Sequence, residues 1–131
     1  MIKKHKGVKG TVNLSSGEAI KFVLPLILFE EDGATICYCP AIDLSGYGKN
    51  ETEAMKSYQI SIGEYFLYTA RKKTLKADLT RLGWTIKKSL SKKMIPPTMS
   101  KSLETNENFS RIFNNFDFKK IETNVKIPVL D

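Results

Sequence analysis

The residues able to do chemistry in this 131-residue chain are few. Glu30, Glu31 and Asp32 are consecutive, and Asp43 follows in the next extended segment. Carboxylates that hold a hard cation for phosphodiester cleavage must converge from separated positions. Three in a row before Gly33 instead read as a solvated turn, so no metal-dependent catalysis is expected from them. Cys37 and Cys39 are the only cysteines. In a strand, positions i and i+2 project from one face, where a disulfide would strain the backbone. A structural zinc site needs four ligands, and the lone histidine, His5, lies near the N-terminus. Both thiols are expected to be reduced, buried and inert. One histidine builds no Ser-His-Asp set, and there is no G-x-S-x-G elbow, phosphate loop or G-x-G-x-x-G fingerprint. The expectation is a non-enzymatic chain with no catalytic residue, metal or cofactor.

Binding residues are easier to nominate. The net charge is +7, and residues 71–101 hold ten basic side chains against the single acid Asp78. Such a block attracts nucleic acid or an acidic protein surface, with Arg71, Lys72, Lys73, Lys87 and Lys88 as phosphate contacts. The plainer reading is a solvated face with a basic linker. Trp84 is a stacking candidate, but its place after a helix stop favours burial. For a protein partner, the candidates are Glu30, Glu31, Asp32, Asp43 and Tyr47, with the C-terminal apolar stripe Phe109, Ile112, Phe113 and Phe116.

The elements that must position these residues follow from periodicity. Residues 8–14 and 18–29 read as extended around a turn at Ser15-Ser16-Gly17. In the second segment Ile20, Phe22, Leu24, Leu26 and Leu28 share one face, while Val23, Pro25, Ile27 and Phe29 share the other. Pro25 donates no ladder hydrogen bond and predicts an edge or a bulge. Glu31-Asp32-Gly33 predicts a hairpin, with Thr35–Cys39 as the return strand and Ile42–Tyr47 as a third. Asn50 predicts a helix start, boxed by Glu53, with Ala54, Met55, Tyr58, Ile62, Tyr65 and Phe66 on one face. A shorter helix is expected from Thr74, its cap, to Leu82, ended by Gly83. Trp84–Ile86 then reads as a fourth strand returning to the sheet. Lys87–Lys101, with Pro96-Pro97, has linker composition. A final helix capped near Thr105 or Asn106 and a strand over 121–130 complete the chain. No apolar run reaches the ~18–20 residues that span a bilayer, and no signal peptide is visible, which predicts a cytoplasmic protein.

Three features in this order resemble HicB-like antitoxins over about residues 20–88. They are Glu30-Glu31-Asp32-Gly33; then Pro40-Ala41-Ile42-Asp43-Leu44-Ser45-Gly46-Tyr47-Gly48; then Glu53-Ala54 opening a helix. The family shows a turn E-x-D-G, a P-x-(L/I)-x-(L/G)-x-G-x-G stretch and a helix opening T-x-x-E-A; here Thr52 stands two residues before Ala54. The resemblance implies a β-β-β-α-β unit, partly RNase H-like or double-stranded-RNA-binding-like and without catalysis. It also implies a small RNA-cleaving toxin of the HicA type as partner in a type II toxin-antitoxin system. Many members add a C-terminal DNA-binding domain.

Together these readings predict an α+β fold with a small antiparallel sheet and one main helix on one side of it. Residues 1–88 are the HicB-like domain, 89–101 a basic linker and 102–131 a helix-strand extension that docks on the main domain, a second copy or a partner. The expected function is neutralisation of the toxin, the alternative a nucleic-acid-binding regulator; a homo-oligomer is compatible with either, and no membrane is involved.

Overall fold

The computed structural model describes residues 11–14, 17–86 and 94–128, with side chains from Lys21 onward. Its elements in chain order are β1 (Thr11–Leu14), β2 (Gly17–Glu31), β3 (Ala34–Cys39), β4 (Leu44–Gly48), α1 (Glu51–Lys72), α2 (Leu75–Arg81), β5 (Thr85–Ile86), β6 (Met94–Ile95), α3 (Met99–Thr105), α4 (Glu107–Asn115) and β7 (Phe118–Pro128). The fold is α+β, with an antiparallel sheet of five strands.

The long strand β2 organises everything else. One of its edges pairs with β7 from Ala19↔Pro128 to Phe29↔Phe118. The other is shared by β1, opposite Gly17–Ile20, and β3, opposite Ile27–Glu31. Between them, over Lys21–Leu26, β2 has a neighbour among the described residues on the β7 side only. Pro25 sits in that gap, which is why a residue without an N–H is tolerated in the middle of a sheet. The expected edge character of Pro25 is thus realised locally, within an otherwise central strand.

The two faces predicted for β2 are both buried, by different layers. Phe22, Leu24, Leu26 and Leu28 join Cys37 and Cys39 beneath Ala54, Tyr58 and Ile62 of α1, and the same core takes in Leu75, Leu79, Trp84, Met94, Val125 and Ile127. Ile27 and Phe29 face the other way, against Tyr38, Phe109 and Ile112. Helices therefore cover both faces of the sheet, where the sequence predicted one, because α4 closes the face of Ile27 and Phe29.

Helix boundaries follow from caps. Asn50 Oδ1 accepts the Glu53 N–H at 2.9 Å, and Glu53 Oε1 accepts the Lys49 N–H at 2.9 Å, a capping box displaced by one residue. Gly83, at φ +101°, ends α2: its N–H donates to Thr80 O at 3.0 Å and the Trp84 N–H to Leu79 O at 3.0 Å. That is the Schellman pattern. Thr74 occupies the N-cap position of α2, but its side chain makes no capping hydrogen bond. Asn106 caps α4 as expected, accepting the Phe109 N–H at 3.0 Å.

Three further expectations need correction. Thr85–Ile86 does not return to the main sheet; it pairs with Met94–Ile95 as a separate two-stranded ribbon. Trp84 is buried beside it by an edge-to-face contact with Phe22 at 5.2 Å. Within the stretch read as linker, Met94 is fully buried and α3 begins at Met99, so local packing overrides the Pro-Pro and lysine signal. The C-terminal strand is also no appendage, since it forms a full edge of the sheet. Gly7–Gly10, the Ser15-Ser16 turn, Lys87, Lys88, residues 89–93 and 129–131 lie outside the described residues.

Candidate functional site

The β3–β4 corner carries the densest polar arrangement. Cys39 O accepts the N–H of Asp43 at 2.8 Å, closing a turn in which Asp43 adopts φ +60°. A short polar side chain tolerates this left-handed conformation better than most. The turn aims the Asp43 carboxylate at Tyr38, whose hydroxyl donates to it at 2.5 Å, and at Asn108 Nδ2, which donates at 3.2 Å. Asn106 Nδ2 donates to Tyr38 Oη at 2.8 Å and to Pro40 O at 3.2 Å. The N-terminus of α4 is thereby bolted to the β3–β4 corner. Burial, together with the Asp43 carboxylate, pushes the Tyr38 hydroxyl far above its ordinary range, so it is a hydrogen-bond donor at every physiological pH.

Asp43, Asn106 and Asn108 of this cluster line an open cleft of about 650 Å³ together with Arg81, Glu104 and Glu107 among others. Three carboxylates face one guanidinium, and Arg81 is already held by Asp78 at 2.6 Å. The cleft is suited to cationic groups of a partner. Carboxylates lining a cleft can hold a basic side chain by charge-assisted hydrogen bonds.

The sequence-nominated residues divide between this corner, the hairpin tip and the core. Glu30 and Asp32 are exposed at the β2–β3 tip, and Glu31 beside them lies 3.7 Å from Arg111 of α4. Tyr47 stands on edge strand β4, 69% exposed. Phe113 is 43% exposed, and Phe116 is half-buried with its ring centroid 4.9 Å from that of Phe29. Phe109 and Ile112 are buried under the sheet, so they build the fold and present nothing to a partner. Among the basic candidates, Arg71, Lys72 and Lys73 are exposed at the C-terminus of α1, where they also oppose the negative end of the helix dipole.

Sequence reasoning missed Asn106 as the partner of Tyr38 and Asn108 as the partner of Asp43. Polar residues 65 and 68 positions away from their acceptors leave no local signal. Gly46 and Gly48, which the sequence places only within the family-like stretch, have a packing role. Neither has a positive φ. A Cβ at Gly46 would lie 2.1 Å from Tyr58 N and one at Gly48 2.4 Å from Glu53 Cβ. These glycines exist so that α1 can rest its backbone on β4.

Cys37 and Cys39 are buried beside Tyr58. Burial raises the Cys37 thiol to about 12 and the Cys39 thiol to about 11, which leaves both protonated and unreactive near neutrality. Among the described residues no group of three or more His, Cys, Asp or Glu side chains is placed to hold a metal ion, and no helix is long and apolar enough to cross a membrane. No protein-family model, curated protein or solved structure matches the chain.

Proposed function

We propose that the chain is a HicB-like antitoxin that binds and neutralises a small RNA-cleaving toxin of the HicA type. The observation that carries this reading is the seat of α1 on Gly46 and Gly48. It gives one mechanical reason for the order that the resemblance rests on: acidic hairpin, proline-led corner, G-x-G strand, then helix. The G-x-G spacing and the helix opening are one packing unit, which two unrelated short motifs would not produce together.

The docking surface is the acidic side of the molecule. It combines the hairpin tip (Glu30, Glu31, Asp32), the Asp43 cleft and the exposed Tyr47 on the open edge of β4. A basic toxin meets carboxylates there, with an aromatic anchor beside a strand edge that no other described strand pairs with. The C-terminal residues hold this surface in place from behind and do not reach out to wrap the toxin.

The test is reconstitution with the candidate toxin. The purified chain should bind it and abolish its cleavage of RNA at equimolar ratio, and Glu30→Lys and Asp32→Lys combined with Tyr47→Ala, all at exposed positions, should lose both effects while staying folded. Unchanged RNA cleavage in the presence of saturating chain would refute the proposal. Recovery of nucleic acid alone from cells, lost at moderate salt, would favour the alternative of phosphate binding by Arg71, Lys72 and Lys73.

A further inference from the structure

Among the described residues, helix α1 has an outer face on which nothing packs. Ile60 is 63% exposed and Leu67 58% exposed, although both are large and apolar. Gly63 lies between them on the same face, and Ala70, also exposed, lies one turn beyond Leu67. The spacing 60, 63, 67, 70 alternates three and four residues, the seam of a helix that packs along another helix. Gly63 is the informative member. A Cβ there would meet nothing within 4 Å, so no contact among the described residues requires a glycine. A glycine in a helix interior is disfavoured by roughly 0.5–1 kcal/mol relative to alanine. A recess left in the middle of an apolar stripe fits a knob from outside.

We infer that this face docks a second copy of the chain, with the two α1 helices packed antiparallel. The charges on α1 select both the occupant and the direction. Its first turn holds Glu53 and its last turn Arg71 and Lys72, while Glu51 is paired within the chain with Lys119 at 3.0 Å. Two copies running in opposite directions set each acidic end beside the basic end of the other, whereas parallel copies would stack like charges. The same arrangement lays Ile60 of each copy over the recess at Gly63 of the other. The face lies opposite the core side of α1, and neither the hairpin tip nor the Asp43 cleft contributes to it, so self-association is independent of toxin binding. An interface of one helix per copy falls at the small end of stable interfaces, so the test must reach concentrations at which a weak dimer forms.

Sedimentation equilibrium of the chain alone, from micromolar to submillimolar concentration, reads the proposal directly. The wild type should follow a monomer–dimer isotherm. Leu67→Lys and Gly63→Arg should each weaken the dimer by at least about tenfold, a difference of roughly one decade in Kd. Both substitutions fall on exposed positions, so the helix should remain folded in each variant. Gly63→Cys should cross-link into dimers on mild oxidation and Ala70→Cys should not, because antiparallel copies separate the two Ala70 positions. A wild type that stays monomeric throughout would overturn the inference. So would a dimer indifferent to both Leu67→Lys and Gly63→Arg, or equal cross-linking at 63 and 70. A monomeric wild type whose toxin binding is lost with Leu67→Lys would assign the stripe to the toxin and overturn it equally.

Discussion

Replacing Gly46 with alanine probes the contact on which the placement of α1 depends. The added methyl would lie 2.1 Å from Tyr58 N, 2.5 Å from Ser57 C and 2.6 Å from Tyr58 Cα. All three obstacles are backbone atoms of the helix, so no side-chain rotation relieves them. The helix must lift from β4, and Ala54, Tyr58 and Ile62 would lose part of their packing on Cys37, Cys39 and Leu28. Overpacking of a core by one methylene costs typically about 1–3 kcal/mol, and an immovable obstacle puts this site at or above the upper end. For a chain of this size about 3 kcal/mol corresponds to a fall in Tm on the order of 10 °C. Thermal and urea denaturation followed by circular dichroism would measure it. Gly63→Ala supplies the control in the same helix, since its Cβ meets open space. At protein concentrations low enough to keep the chain monomeric, that change should raise stability by about 0.5–1 kcal/mol. If Gly46→Ala leaves Tm within a degree or two of wild type, α1 does not rest on β4, and the reasoning about the G-x-G segment fails with it.

Other perturbations reach different parts of the same core. Trp84 Nε1 donates to Ala41 O at 2.8 Å in a buried setting; Trp84→Phe strands that carbonyl and should cost about 1–3 kcal/mol in a urea titration. Asn106→Ala removes the cap of α4 and the bonds to Tyr38 and Pro40 together. It should lower stability by about 2–3 kcal/mol, with the loss of a cap alone worth about 1. The thiols give a pH dependence of definite sign. Their folded-state pKa values, about 12 for Cys37 and about 11 for Cys39, lie above the ordinary 9.0. Their contribution is therefore fully present below pH 9 and is lost as pH rises from there toward the folded values. The urea midpoint should fall between pH 8.5 and pH 10.5, and a flat profile would contradict the burial of both thiols. At pH 8 a thiol reagent should label the native chain slowly and the urea-unfolded chain at once.

Legibility in the sequence tracked the range of the interactions involved. The hairpin at Glu31–Gly33, the box at Asn50 and Glu53, the stop at Gly83 and the cap at Asn106 are all settled within four residues, and each was readable. The two-faced burial of β2 was readable as well, because alternation over Phe22–Phe29 needs no knowledge of what covers either face. What covers each face was not. The second layer comes from α4, some eighty residues downstream, whose stripe of Phe109 and Ile112 looks the same whether its groove belongs to this chain or to another. Trp84–Ile86 failed for a related reason. Strand propensity over three residues does not name a partner, and the partner is a two-residue strand hidden in a lysine-rich stretch that reads as linker. Gly46 and Gly48 show the limit most clearly: glycine between aromatic and polar neighbours signals a turn or a close approach, and only the helix seated on it decides between them.

Charge supplies the last step. A net charge of +7 suggests a protein repelled by a basic toxin. Fields on a protein surface are screened over roughly 8–10 Å at physiological ionic strength, so a partner responds to the groups within that reach and not to the sum over the chain. Here the signs are segregated. Glu30, Glu31 and Asp32 stand at one hairpin, and Asp43, Glu104 and Glu107 line one cleft, while Arg71, Lys72 and Lys73 sit together at the far end of α1. Raising the salt concentration should therefore slow toxin association at the acidic side, with Glu30→Lys and Asp32→Lys slowing it further at low salt. Neutralising Arg71, Lys72 and Lys73 should change that rate less than the acidic substitutions do, because none of the three lines the cleft or the hairpin. If instead the triple neutralisation changed the association rate as much as the acidic substitutions did, the partner would be engaging the basic end, and the acidic docking surface would be wrong.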